Sequence, residues 1–263
     1  MPSQGTSTFD LFALRYHFTA PALVHFPLGE TANLFRGQFG KILHRRNPGV
    51  YIQLFTPVEA GPSGLHLPPK PFVLRVRHLE GAKLSRFHMG LNLFETDPDF
   101  LVIRDAIAEL SRESLRAELT GIEGEEVLRL PLSVTRPAGR VRIHFLSPTE
   151  LKNASRPEFG PLFSRIRDRI STLRALYGWG PLEIDFKAMG ERACAIRMTR
   201  CDLRNIDRMR VSRTNTHPLG GFTGVAEYEG DLTEFIPYLE IAGYTGVGRQ
   251  TVWGKGEISV ETF

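Results

Sequence analysis

Hydrophobic and polar positions along the first half of the chain predict an ordered series of elements. Apolar and aromatic residues dominate residues 9–18, which favours a strand. Helical spacing follows, and one face of this first predicted helix carries Leu28, Ala32, Phe35, Phe39, Ile42 and Leu43. After a proline-rich loop, the pattern predicts strands over residues 72–79 and 83–95, a helix over 98–115, and a strand over 125–135.

The second half repeats this order approximately. Its pattern predicts a strand over residues 139–148, a helix over 157–178, strands over 193–203 and 221–230, a helix over 231–243 and a last strand over 256–263. Asp231 would be the N-cap of the last helix, with Glu234 at the capping-box position. The order strand, helix, strand, strand, helix, strand therefore occurs twice in the sequence. This repeat predicts an α+β fold with two tandem ferredoxin-like (βαββαβ) domains. The domains would span residues 1–136 and 137–263.

Composition narrows the class of protein. The chain has 263 residues, is 41% hydrophobic, and has no apolar run of transmembrane length. We therefore expect a cytoplasmic protein without a membrane partner. The two cysteines, Cys194 and Cys201, match no common metal-site spacing and are expected to be reduced core residues. No other metal or cofactor motif is present, so we expect no cofactor. The net charge of +4 hints at an anionic partner.

A glycine-rich segment near the end of the chain predicts a backbone that approaches a ligand closely. It contains Gly246, Gly248, Gly254 and Gly256, together with the cations Arg249 and Lys255. Glycines let backbone N–H groups face a ligand, and the charges favour a phosphate backbone. A dinucleotide fingerprint is excluded because Thr251 stands where its third glycine would be, and because a strand follows. The alternative is a plain mobile turn.

The first predicted helix has a basic face opposite its apolar face. That face carries Arg36, Gly37, Gly40, Lys41, His44 and Arg45. Two glycines inside a helix suggest that the second domain or an RNA strand packs closely there. Imidazole groups exchange protons near neutral pH, so His44 is a candidate general acid or base on a phosphodiester. The alternative is a solvent-exposed histidine at a helix end.

A cluster of arginines precedes the third strand of the second half. Arg208, Arg210 and Arg213 are interleaved with hydroxyl and amide side chains. Guanidinium forks and hydroxyl groups together suit RNA backbone and base edges. The alternative is a solvated surface with ion pairs.

Four stretches in this order resemble a known family. They are FRGQFGKILHRR; FLSPTELK with the helix that follows it; RVSRTNTHPLGGFTGVAEYEGDL; and AGYTGVGRQTVWGKGEI. Together they resemble the CRISPR-associated pre-crRNA-processing endoribonucleases of the RAMP superfamily. The resemblance implies two ferredoxin-like domains, binding of CRISPR repeat RNA, and metal-independent cleavage. In that cleavage the RNA's 2′-hydroxyl attacks the adjacent phosphate and leaves a 2′,3′-cyclic phosphate.

The resemblance also implies residue roles. His44 would be the general base, with Arg36 and Lys41 stabilising the phosphate, while the glycine-rich loop would hold RNA near the domain junction. Arg45 and Arg46 would bind the RNA. Because catalytic residues vary within the family, Arg36, Arg45 and Arg46 are also an alternative set that needs no histidine, and Tyr51 is another candidate proton carrier. A second interpretation is a noncatalytic RAMP subunit that binds guide RNA beside other CRISPR effector subunits.

Overall fold

The structure is a computed structural model that describes residues 8–56, 68–133, 137–151, 156–178, 180–206, 209–211, 216–218 and 220–263. The first half contains β1 (Thr8–His25), α1 (Thr31–Arg46), α2 (Pro48–Phe55), β2 (Phe72–Arg75), β3 (Lys83–Leu93), α3 (Phe100–Leu110), β4 (Glu118–Glu123) and β5 (Val127–Pro131). The second half contains β6 (Arg140–Thr149), α4 (Phe159–Tyr177), α5 (Phe186–Cys194), β7 (Arg197–Ile206), β8 (Met209–Val211), β9 (Thr216–Pro218), β10 (Gly221–Glu229), α6 (Ile236–Thr245) and β11 (Ile258–Thr262).

The two main sheets have the same antiparallel topology. The first has the order β2-β3-β1-β4, and β5 pairs with the beginning of β1, before the part that pairs with β4. The second has the order β11-β6-β10-β7. In both, the first and third strands of a βαββαβ unit lie in the middle and the helices follow strands one and three. The predicted fold class, two tandem ferredoxin-like domains, is confirmed.

Some predicted elements differ from the observed ones. The strand expected over residues 125–135 is β5, whereas the fourth strand of the ferredoxin-like unit is the unpredicted β4. The proline-rich loop is also shorter than expected, because α2 occupies its start. Pro48 suits the first helical position, and the Asn47 side chain accepts a hydrogen bond from the Val50 amide at 3.1 Å. The short helix α5 was also missed.

The apolar face of α1 packs largely as predicted. Ala32, Phe35, Phe39, Ile42 and Leu43 are buried in the first core. The prediction that Leu28 belongs to this apolar face is wrong, because Leu28 precedes the helix and is 67% exposed. Helix α3 contacts α1 and packs into the same core.

Details of the second half correct two further predictions. The segment Thr233–Phe235 is a 3₁₀ turn ahead of α6, and the Glu234 carboxylate binds Arg192, so no capping box forms. Asp231 instead accepts a hydrogen bond from the Thr233 amide at 3.3 Å. Both cysteines are reduced, but Cys194 is exposed and Cys201 half-buried, so neither is a core residue.

The two halves share their cores. Phe9, Leu11, Val73 and Phe94 of the first sheet pack into the core of the second half. In return, Val252 and Trp253 of the glycine-rich loop pack against the core of the first half. Buried apolar area crosses the junction in both directions, which fixes the halves relative to each other. The boundary at 136/137 stays a prediction, since residues 134–136 lie outside the described part.

Candidate nucleic-acid interface

The C-terminal end of α1 presents an exposed histidine beside the next helix. His44 and Lys41 are both exposed on α1. The His44 ring meets the edge of the Tyr51 ring of α2, with centroids 4.9 Å apart and planes at 87°. The tight turn at Asn47 between the helices brings these two proton-carrying side chains together.

A row of contacts continues from Tyr51 to the glycine-rich loop. Tyr51 stacks on Phe55 with centroids 5.2 Å apart. The Arg36 guanidinium lies 5.6 Å from the Phe55 centroid and 5.2 Å from that of Trp253 in the loop. These are cation–π distances. The structure thus brings His44 and Arg36, predicted as one site, into a single row that ends on the glycine-rich loop.

Close packing in this row explains one of the two helix glycines. A Cβ on Gly40 would stand 2.9 Å from the Phe55 ring, so α2 is what packs there, rather than the second domain or RNA. Gly37, in contrast, has nothing within 4 Å of its Cβ position. The helix surface at Gly37 therefore has room for a ligand group.

Lys70 is a basic residue of this site that sequence reasoning missed. Its ammonium donates to the carbonyl of Phe55. Burial, and secondarily the charge of Arg36, lowers the pKa of Lys70. No signal in the proline-rich segment marks this residue, because only the fold brings it beside α2.

Two other candidate RNA-binding residues of α1 have internal partners. Arg45 and Arg46 both form ion pairs with Glu109 of α3, and Arg45 also pairs with Glu113 at 3.1 Å. Hydrogen bonds to Glu109, then to Glu113, raise the pKa of Arg45. Because the Glu109 carboxylate is buried, these arginines compensate it.

The glycine-rich loop has an ordered backbone rather than that of a plain mobile turn. Gly246, Gly248, Gly254 and Gly256 have φ values of 73°, 81°, 81° and 70°, which only glycine adopts easily. Added Cβ atoms would collide with the Glu150 carbonyl at Gly248 and with the Val247 carbonyl at Gly256. The Val247 amide donates to the Gly256 carbonyl at 2.8 Å and closes the loop on itself.

Both cations of the loop bind one carboxylate, that of Glu150, which directly follows β6. Lys255, only 3% exposed, donates to Glu150 at 2.8 Å and to Gln250 at 2.9 Å. Arg249 reaches the other Glu150 oxygen at 3.0 Å and is itself exposed. Burial would raise the pKa of Glu150, but its hydrogen bonds and the charges of Lys255 and Arg249 hold that pKa below its usual value.

The loop lies at the junction of the two halves, next to α1. Gly254 faces Ala32 of α1 so closely that a Cβ would clash with it. Arg77 after β2 approaches Glu257 behind the loop at 3.7 Å. Its position at the junction agrees with the expectation drawn from the resemblance.

The third group of candidates is the cluster of arginines ahead of β10. Arg208 and Arg213 lie outside the described residues, and so does the side chain of Arg210, whose backbone belongs to β8. Within the described ranges, no three or more histidine, cysteine, aspartate or glutamate side chains are grouped to hold a metal ion. No helix in that part of the chain is long and apolar enough to cross a membrane.

The fold and the loop together define the class: a tandem ferredoxin-like protein with a glycine-rich loop at the junction of its halves. The resemblance to the CRISPR-associated endoribonucleases is supported in the second half of the chain, where the model of the family CRISPR-associated endoribonuclease Cas6 matches residues 143–258. No curated protein matches the chain.

Solved structures share the whole fold. Thermus thermophilus Cas6 is 18% identical, with a TM-score of 0.59 over 98% of this chain and 100% of that one. A Cas6 product complex is 19% identical, with a TM-score of 0.62 over 95% and 100% of the two chains. A partial Cas6-RT-Cas1–Cas2 complex is 14% identical, with a TM-score of 0.62 over 97% of this chain and 46% of that one.

Proposed function

We propose that this chain is a metal-independent endoribonuclease that binds CRISPR repeat RNA and cleaves precursor crRNA to mature guide RNA. The observation that carries the proposal is the row of contacts from His44 through Tyr51, Phe55 and Arg36 to Trp253. It joins a proton-transfer group, a cation and the glycine-rich loop along one side of α1. The match to the Cas6 family and the shared fold support the same activity.

The proposed chemistry uses the RNA's own nucleophile. The 2′-hydroxyl oxygen attacks the adjacent phosphorus while His44 accepts its proton, and the bond from phosphorus to the 5′-oxygen breaks. A proton delivered to that oxygen by Tyr51, whose ring contacts His44, gives a 5′-hydroxyl and a 2′,3′-cyclic phosphate. Lys41 and Arg36 would stabilise the charge on the phosphorane.

The RNA path would follow from the same geometry. The open surface at Gly37 would admit the phosphate backbone between Arg36 and Lys41. Arg249, exposed at the edge of the loop, would contact a neighbouring phosphate, and Lys255 would support the loop from inside. We infer the partner to be CRISPR repeat RNA, with further CRISPR proteins as candidates.

The test is cleavage of end-labelled repeat RNAs in EDTA, beside the same RNAs with one 2′-deoxynucleotide at the cut site. We expect cleavage that the deoxy substitution abolishes, that His44→Ala greatly slows, and that Lys41→Ala and Arg36→Ala reduce. His144→Ala is the matched control, because His144 lies on the second sheet beside Glu261.

Two results would redirect the proposal. If His44→Ala cleaves at the full rate, the chemistry is driven by arginine. Arg36 would then be the leading residue, since Arg45 and Arg46 are engaged with Glu109. If the wild-type protein binds repeat RNA tightly and never cleaves it, the chain is a noncatalytic RNA-binding subunit.

A further inference from the structure

The last turn of α6 is held by donors from both halves of the molecule. Arg75 of β2 donates to the carbonyls of Gly243 at 2.7 Å and Tyr244 at 2.9 Å. Asn92 of β3 donates to the same Tyr244 oxygen at 2.9 Å. Arg169 of α4 donates to the next carbonyl, Thr245, at 3.0 Å. Three successive carbonyls at the helix end thus accept hydrogen bonds from outside the helix.

Arginine suits this position for a physical reason. The last carbonyls of a helix have no partner within it and form the negative end of its dipole. The Nη2 atom of Arg75 carries two N–H groups in the plane of the guanidinium, and it donates to two of these carbonyls at once. An apolar side chain at this position would remove the outside donor of the Gly243 carbonyl and leave Tyr244 with Asn92 alone.

The arrangement is electrostatically unfavourable for the arginines themselves. Burial lowers the pKa of Arg75. Burial and, to a smaller extent, the charge of Arg75 lower the pKa of Arg169 to about 10. Two like charges are thus kept close together in a partly dehydrated junction. The hydrogen bonds that the two arginines donate offset part of this cost.

The hydrogen bonds of these two arginines define the position of the glycine-rich loop. Besides the Thr245 carbonyl before the loop, Arg169 binds the Thr251 hydroxyl within it at 2.7 Å. Two residues later, Trp253 lies against the Arg36 guanidinium. Arg75 fixes the start of the loop to the first sheet, which also carries α1.

We propose that Arg75 and Arg169 are positioning residues that hold the loop so that Trp253 keeps Arg36 in place on the surface of α1. The proposal rests on the proposed ribonuclease function for its effect on cleavage. Its structural part, the placement of Trp253 against Arg36, can be measured without RNA.

The experiment uses Trp253 as its own reporter. The chain has two tryptophans, so Trp179→Phe leaves Trp253 as the only one. In that background we expect Arg75→Met to shift Trp253 emission and to raise its quenching by acrylamide at least twofold. We expect the single-turnover cleavage rate at saturating protein to fall at least tenfold. Arg75→Lys should recover part of both losses, and the milder Asn92→Leu should change both in the same direction by less.

A control variant and two opposing outcomes distinguish a positioning role from a purely structural one. Arg77→Met removes another ion pair between the halves, the one with Glu257, and should leave Trp253 emission unchanged. If Arg75→Met and Asn92→Leu lower the melting temperature while Trp253 emission and the cleavage rate stay as in the parent, these residues only stabilise the fold and the proposal is wrong. If the parent protein never cleaves RNA but Trp253 responds as expected, the proposed function fails and the positioning role stands.

Discussion

Helix α1 and the glycine-rich loop are both basic in the sequence, yet they use their charges differently. In the loop, the Lys255 ammonium is buried against Glu150 and Gln250, and four left-handed glycines shape a closed backbone. On α1, Lys41 and His44 are exposed beside the open surface at Gly37. The lysine of the loop therefore supports the fold, while the helix presents exposed groups that can act on a ligand.

The comparison shows that a sequence does not reveal which of its cations are available. Glu150 lies 105 residues before Lys255, and Glu109 lies 64 residues after Arg45. Such long-range carboxylates decide whether a lysine or arginine supports the fold or faces solvent. A basic cluster in a sequence is thus an upper limit on the charge offered to RNA.

The largest effect should come from removing the histidine of α1. His44→Ala should slow cleavage about 10²–10⁴-fold, the usual contribution of a general base. Because His44 is exposed, folding should be unaffected. The measurement is the single-turnover rate together with the melting temperature. A rate within threefold of wild type would remove His44 from the mechanism.

A second prediction separates two glycines by the space around them. Gly256→Ala forces a left-handed residue against the Val247 carbonyl and should destabilise the protein by about 3 kcal/mol. Gly37→Ala, in an open part of helix α1, should stabilise it by about 0.5–1 kcal/mol. Urea denaturation measures both. Equal effects at the two sites would contradict the ordered loop described above.

A third prediction concerns the carboxylate beneath the loop. Since the folded-state pKa of Glu150 lies below its unfolded value, its stabilisation is present above the unfolded pKa and is lost as pH falls through the folded one. Glu150→Gln should therefore lower the melting temperature by roughly 3–10 °C at pH 7. The gap to wild type should close below about pH 4. A gap that persists at low pH would show that packing, not charge, holds the loop.

The fold was largely predictable because its signals are local. Apolar residues at helical spacing in α1 and α4, and alternation in β3 and β6, report packing within each element. The misses have local causes too: β4 is short and only half-buried, and α2 is opened by the Asn47–Pro48 pair inside a proline-rich segment.

The candidate site was predictable only in part, because it depends on long-range contacts. His44, Lys41 and Arg36 share one helix face, and their grouping follows from spacing alone. Lys70, Trp253 and Phe55 reach that face only through the fold. No periodicity in the sequence links these three residues, so their association appears first in three dimensions.

The smallest effect should come from the exposed arginine of the loop, and it tests whether the loop contacts RNA at all. Arg249 is bonded to Glu150 yet 66% exposed, so a phosphate can replace that carboxylate at little cost. Arg249→Ala should weaken RNA binding a few-fold and reduce the slope of log affinity against log salt by about 1. Arg192→Ala is the matched control, because Arg192 is also exposed and also paired with a glutamate, Glu234. Filter binding between about 50 and 200 mM salt measures both slopes. An unchanged slope for Arg249→Ala would mean that the loop supports α1 without contacting the RNA backbone through this residue.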